Sequence, residues 1–349
     1  MGLVTLVGFD HCSLSSPTAA SLAAATPRLL PTATFISLMN SPNLALLSDL
    51  PGSAAGSTRR YLIGSNASPY YLNAQIPVAT FARTGKWYMG MRIRPTGVAP
   101  TANSSLLYFN FGGTAITNAV VIPAVTATYY VEIEIDWVNS VCNCYLNGEL
   151  QNTYSGTSYF PTTPATATIR IGGTTAMPTS GYWCLTDFYF ANDVANDPAP
   201  VGGRLGQIMV KPQPISTVDN ATLFSSQNSG VSVADALNAP FTGGVNVNGV
   251  NTDPRGALAQ LNYAAPSETN AIKGVHVFAN AWRDPTASAG FHIDVTQGAQ
   301  VQTKTGVPVV TGTAILNPLD FPMNVDLNGA AWTPASIAAL KVHIGSYRP

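Results

Sequence analysis

Apolar and polar residues alternate with a period of two over much of this chain, and the three-to-four spacing of amphipathic helices is nearly absent. In Trp87–Arg94, Trp87, Met89, Met91 and Ile93 fall on one face, while Tyr88, Gly90, Arg92 and Arg94 fall on the other. Successive side chains of a strand point to opposite sides, so this pattern predicts a strand with one buried face. The clearest case is Tyr130–Val138, where Val131, Ile133, Ile135 and Trp137 alternate with Glu132, Glu134 and Asp136. It predicts Trp137 inside with the three aliphatic residues, and the acids on a solvent face. A turn at Asn139-Ser140 leads into Val141–Leu146, and Asn147-Gly148 then reads as a hairpin, because both turn positions need positive φ. Leu106–Phe111, Ile169–Ile171 and Tyr182–Phe190 are further strands. Many short strands with tight turns indicate a β-sandwich.

Asn192–Gly203 reads NDVANDPAPVGG, a linker by its prolines and glycines. It divides the chain into a domain over residues 1–200 and a smaller β-rich domain over 204–349. Past it, Leu205–Val210 resumes strand character. Thr217–Val250 reads as loops with one short helix near Val233–Leu237, and Lys273–Trp282 and Phe291–Val295 alternate again as strands. Near the end, Thr333 caps a short helix with Pro334 at its first position, where a missing N–H costs nothing, and Ala335–Leu340 continue it. The fold class expected is all-β.

Composition adds a reason to expect assembly. Charged residues make up 9% of the 349, against roughly 25% in ordinary soluble domains. A surface of Ser, Thr, Asn, Ala and Gly suits a protein packed among copies of itself, since interface cores are depleted in charge. The net charge is -1 and the 16 Lys and Arg are scattered, which argues against nucleic-acid binding. No apolar run approaches the roughly 18 residues of a spanning helix, so no membrane insertion is expected. Met1–Leu14 has no basic start and carries Asp10 and His11, so it does not read as a secretory signal. Leu6 stands where a myristoylation motif wants Ser or Thr. Asn66, Asn103 and Asn220 lie in Asn-x-Ser/Thr sequons, read as chance in a chain rich in Ser and Thr. Cys12, Cys142, Cys144 and Cys184 are expected to be buried free thiols.

The segments GFDHCS (Gly8–Ser13), YVEIEIDW (Tyr130–Trp137), CYLNGELQNT (Cys144–Thr153) and WCLTDFYFAND (Trp183–Asp193) together resemble the concanavalin-like, laminin-G type jelly roll. The resemblance covers roughly residues 1–200 and implies that the closing strand lies beside the opening one. RLGQIMVKPQPISTVDNATLF (Arg204–Phe224) resembles a segment that follows such jelly rolls in bacteriophage virion proteins, a Leu-Gly-Asp-x-x-Val pattern followed by a proline. NPLDFPMNVDLNGAAWTPASIAALKVHIGSY (Asn317–Tyr347) resembles the close of the same proteins. Gln207 departs from the pattern where an acid is common, Leu223-Phe224 where Trp is common, and Leu319–Gly329 lengthens the final loop. The resemblance implies a virion structural protein of tail, baseplate, fibre or head appendage. Its expected partners are copies of itself, other virion proteins and a host-surface glycan.

Chemistry is harder to find. No Gly-x-Ser-x-Gly surrounds a serine, and His11, His276, His292 and His343 are the only histidines. His11 and Cys12 are neighbours, which on a strand point apart. Glu132, Glu134 and Asp136 resemble the Glu-x-Asp-x-x-Glu signature of laminarinase-type jelly rolls, but Asn139 or Ser140 stands where the third acid belongs. No catalytic residue is therefore assigned, and no cofactor. A degenerate glycoside hydrolase or a carbohydrate-binding module is the alternative, with Tyr70, Tyr71, Trp87 and Tyr88 as candidate glycan-stacking aromatics. Asp10 and Asp187 would approach each other if the first and last strands pair. They are weak candidates for a structural Ca²⁺, which wants roughly six to eight oxygens. Cys142, Cys144 and Cys184 lack a fourth zinc ligand.

Overall fold

A computed structural model describes residues 3–7, 43–48, 58–63, 72–77, 85–96, 104–105, 107–110, 113–116, 119–122, 127–161, 166–171, 182–193, 203–221, 224–226, 228–239, 247–249, 251–252, 258–267, 270–279, 282–283, 290–306, 309–310 and 319–347. The chain is all-β and forms two units, the first ending at Val210 and the second resuming at Lys211.

The first unit contains β1 (Leu3–Val7), β2 (Asn43–Ser48), β3 (Thr58–Ile63), β4 (Leu72–Pro77), β5 (Lys86–Thr96), β6 (Ser104–Ser105), β7 (Leu107–Asn110), β8 (Val121–Ile122), β9 (Tyr129–Asp136), β10 (Val141–Leu146), β11 (Glu149–Ser155), β12 (Thr166–Ile171) and β13 (Tyr182–Asp193). The large sheet runs β11-β10-β9-β5-β13-β3-β2, with β1 also paired to β13. A three-stranded sheet runs β4-β12-β7, and β6 pairs with β8. The first and last strands lie together as the resemblance implied, Leu6 opposite Tyr189 and Val7 opposite Phe188. Such a pairing joins residues far apart in sequence, as a jelly roll requires.

The apolar faces expected of β5 and β9 are in the core. Trp87, Met89, Met91, Ile93, Val131, Ile133 and Ile135 are all buried, and so is Trp137, just past the end of β9. Trp137 meets Trp87 edge-on at 4.8 Å between ring centroids and Phe160 at 5.8 Å, geometries that aromatic quadrupoles favour. Asn147 and Gly148 both take positive φ, which places the hairpin of β10 and β11 where the sequence put it. Cys142 and Cys144 share the core face as free, buried thiols with sulfurs 4.0 Å apart. Cys12 lies outside the described residues, and Cys184 pairs through its backbone opposite Arg94 of β5.

The second unit contains β14 (Ile215–Asp219), β15 (Phe224–Ser226), β16 (Val247–Gly249), β17 (Asn251–Thr252), β18 (Ala259–Tyr263), β19 (Val275–Ala279), β20 (Trp282–Arg283), β21 (Gly290–Gln297), β22 (Gln300–Gly306), β23 (Val309–Val310), β24 (Leu319–Met323) and β25 (Leu340–Tyr347). Its main sheet runs β14-β18-β25-β21-β22, with β17 parallel to β25. Leu261, Ile293, Val295, Phe321, Trp332, Ile337, Val342 and Ile344 build its core. Both short helices form where expected. Val233–Asn238 is capped by Ser232, and Pro334–Ala339 is capped by a reciprocal Thr333–Ser336 box.

Several expectations fail here. Thr217–Val250, read as loops with one short helix, also holds the end of β14 and all of β15 and β16. Leu205–Val210 is not a strand, because Gly206 takes φ +76 and breaks the extended run. The acids of β9 are not on a solvent face either. Glu132 is 1% exposed and Asp136 7%. For Glu132 the physical reason is the same segment, since Arg204–Val210 lies across the polar face of the large sheet; Asp136 is enclosed instead by Asn139 and Lys86.

Candidate functional site

Among the described residues, the polar face of the large sheet gathers a cluster of titratable groups. β9 contributes Tyr130, Glu132 and Glu134, β5 contributes Tyr88 and Arg92, and β13 contributes Asp187 and Tyr189. Register explains the gathering. Glu132 is opposite Gly90 and Glu134 opposite Tyr88, while Gly90 also faces Tyr189 on the other side. Gly90 is required by packing rather than by backbone conformation: a Cβ there would meet the Tyr189 ring at 2.1 Å. The missing side chain lets the Tyr189 ring cross β5 and deliver its hydroxyl to Glu132 Oε1 at 2.7 Å.

Glu132 accepts two further hydrogen bonds. The Arg204 guanidinium donates to Oε2 at 2.7 Å, and the Gly206 amide donates to Oε1 at 2.9 Å. Arg204 also stacks on Tyr145, its guanidinium carbon 3.6 Å from the ring centroid. The Leu205 amide donates to the Tyr189 hydroxyl at 3.1 Å. At the other end of the segment, Arg92 bridges two partners: its Nε donates to Asp187 Oδ2 at 2.9 Å and its NH2 to the Ile208 carbonyl at 3.0 Å. Asp187 Oδ1 accepts the Val210 amide at 2.8 Å. Ile208 is buried against Tyr88, Tyr130, Tyr189 and Ala191, with Leu205 and Val210 packed beside it. Arg204–Val210 is thus a strap, held by charge at both ends and by apolar contact between them.

Burial pushes the Tyr189 hydroxyl far above the ordinary phenol range, with the Glu132 charge adding to it. Burial raises Tyr130 in the same way. Tyr88 donates to Asp193 at 2.9 Å and is also raised, burial again being the larger cause. Tyr88 and Tyr189 are therefore hydrogen-bond donors, and none of the three phenols is placed to act as a base.

Glu134 and Asp136 lie beyond the strap. Lys86 reaches Glu134 at 2.7 Å and Asp136 at 3.6 Å. Asp136 also accepts from the Asn139 amide and side chain at 2.9 and 2.8 Å, closing the turn. Although burial alone would raise it, these donors and Lys86 bring its carboxyl below the ordinary value. All three acids of the incomplete hydrolase motif are paired within the unit.

Asp187 is fully buried and paired to Arg92. Offered by the sequence as a weak Ca²⁺ ligand, Asp187 here gives its Oδ2 to the Arg92 guanidinium. Asp10 lies outside the described residues. Trp87 and Tyr88 are corrected as glycan-stacking residues: Trp87 sits in the core against Trp137 and Phe190, and Tyr88 lies under the strap cluster. Tyr70 and Tyr71 lie outside the described residues. In the second unit, His292 Nε2 lies 2.8 Å from Asp294 and His343 Nε2 3.2 Å from Thr296. Among the described residues, no group of three or more His, Cys, Asp or Glu side chains is arranged to hold a metal ion. No helix of the described residues is long and apolar enough to cross a membrane.

Arg204 was missed by sequence reasoning as a site residue. The available signal was the Leu-Gly-x-x-x-Val pattern itself, whose glycine supplies the positive φ and exposes the amide that meets Glu132.

Fold and site define an all-β protein built on a sandwich whose polar sheet face is closed by its own chain. No family model matches the sequence, and no curated protein matches it. Among solved structures, the chain is similar to the binding domain of Paraclostridial Mosquitocidal Protein 1, with TM-score 0.32 and 11% identity. That match covers 56% of this chain and 50% of the other, so the chain spans half of the domain it resembles. It is also similar to an endo-β-1,4-glucuronan lyase from the fungus Trichoderma reesei, with TM-score 0.30 and 9% identity over 44% of this chain and 88% of the lyase. A third likeness is to the botulinum neurotoxin serotype G binding domain, with TM-score 0.28 and 11% identity over 46% of each chain.

Proposed function

We propose that the protein is a non-catalytic structural component of a bacteriophage particle, acting through contacts with copies of itself and with other virion proteins. The observation that carries this reading is the strap. Arg204–Val210, the start of the Arg204–Phe224 segment that resembles virion proteins, covers Glu132, the first acid of the hydrolase-like motif. A glycosidase needs two carboxylates facing a sugar across an open cleft. Here Glu132 meets Tyr189, Arg204 and Gly206, and Glu134 meets Lys86. The 9% charged content supports assembly by the argument already given.

The test is native mass spectrometry of the full chain, with a glycan array on the same sample. A discrete oligomer, or binding to other virion proteins, is the expected result. A monomer at all concentrations that binds glycans would favour the carbohydrate-binding alternative instead. Hydrolysis of a β-glucan that disappears in Glu132→Gln would overturn the non-catalytic reading.

A further inference from the structure

The strap and the face beneath it have the properties of a peptide and its receptor. The face offers a carboxylate at each end, Glu132 for the Gly206 amide and Asp187 for the Val210 amide, and a guanidinium, Arg92, for the Ile208 carbonyl. Between them lies an apolar bed of Tyr88, Tyr130, Tyr189 and Ala191, filled by Ile208. Gln207 and Met209 are exposed, so the face reads positions 204, 205, 206, 208 and 210 and ignores the two between. Main-chain hydrogen bonds with pockets for selected side chains are the general way an extended peptide is recognised.

We propose that this face is a peptide-recognition surface for the Arg-Leu-Gly-x-Ile-x-Val segment, and that a second copy of the chain supplies the segment in trans when copies assemble. The inference rests on the assembly reading above and names the contact that reading lacks. The occupant is argued from the fit on the page: the segment that satisfies both carboxylates and Arg92 belongs to this chain, so every copy carries both halves. Exchange of identical elements keeps each contact while joining two chains. The connection between the halves, VANDPAPVG after Asp193, contains two prolines and no alternating pattern.

Two full-length variants separate the halves. Glu132→Arg removes the receiving carboxylate and leaves the strap sequence intact, while Arg204→Glu spoils the strap and leaves the face intact. Mixed one to one and analysed by native mass spectrometry, they are expected to form a one-to-one complex of two 36.5 kDa chains, absent from either variant alone. A mixture equal to the sum of its parts would overturn the exchange. If Glu132→Arg does not fold, the peptide GRLGQIMVK (Gly203–Lys211) replaces it. Added to the full-length Arg204→Glu chain, it is expected to recover at least half of the lost thermal midpoint, with a scrambled peptide recovering none. No recovery would likewise overturn it. Failure of the assembly reading has a different signature: wild-type chain that stays monomeric and binds no virion protein.

Discussion

Removing the Glu132 carboxylate leaves the Arg204 guanidinium, the Tyr189 hydroxyl and the Gly206 amide without their shared acceptor. Breaking a buried pair by deleting one partner costs roughly 3–5 kcal/mol, because the other charge stays behind. Glu132→Ala is therefore expected to destabilise about as much as Trp137→Ala, for which aromatic truncation in a core costs about 3–5 kcal/mol. Glu134→Ala loses only a pairing with the half-exposed Lys86 and is expected to cost under about 1 kcal/mol. Chemical denaturation of the three full-length variants checks the order. Equal losses in Glu132→Ala and Glu134→Ala would contradict the burial argument. The tyrosines give a second residue-scale prediction. Tyr88, Tyr130, Tyr189 and Tyr263 are all raised, chiefly by burial. Each contributes stability that is full below the ordinary phenol value of about 10 and is lost as pH rises toward the elevated folded value. Alkaline titration followed by tyrosinate absorbance should show these four silent while the fold persists, then ionising together with unfolding. Gradual ionisation of all fourteen tyrosines in the folded protein would refute it.

At the scale of elements, the central strands were legible because alternation has the same meaning wherever a strand has one buried face. β5, β9 and β10 lie within a few residues of their expected spans. Both helices were legible from their ends, where Ser232 and Thr333 cap the first turn. Thr333→Ala should cost about 1 kcal/mol, read as a lowered denaturation midpoint with an unchanged slope. The strap was not legible as a strap. Leu205–Val210 has the composition of a strand, and nothing local distinguishes an extended segment pairing in a ladder from one lying across a sheet. Its place follows from donors and acceptors more than seventy residues away in β9, as in the bond from Gly206 to Glu132. A first unit cut after residue 200 therefore lacks part of its own packing. Residues 1–210 are expected to unfold cooperatively at a higher temperature than residues 1–200, and equal midpoints would show the strap to be dispensable.

At the scale of the whole molecule, a net charge of -1 and a pI near 6.4 leave little electrostatic repulsion between copies. Solubility of the purified chain should pass through a minimum near pH 6.4, measured by light scattering across pH, and a minimum far from that value would point to charges masked within an assembly. Period-two alternation, turn residues and cap residues determined by themselves that the protein is all-β, where its central strands and helices lie, and that Trp137 faces a core. These signals act between residues a few positions apart, so the chain carries them without its fold. What the acids of β9 do was decided only by tertiary structure. A carboxylate on the polar side of a strand is read as solvated until something covers it. The cover here is the Arg204–Val210 strap, which makes Glu132 the buried anchor of a peptide segment.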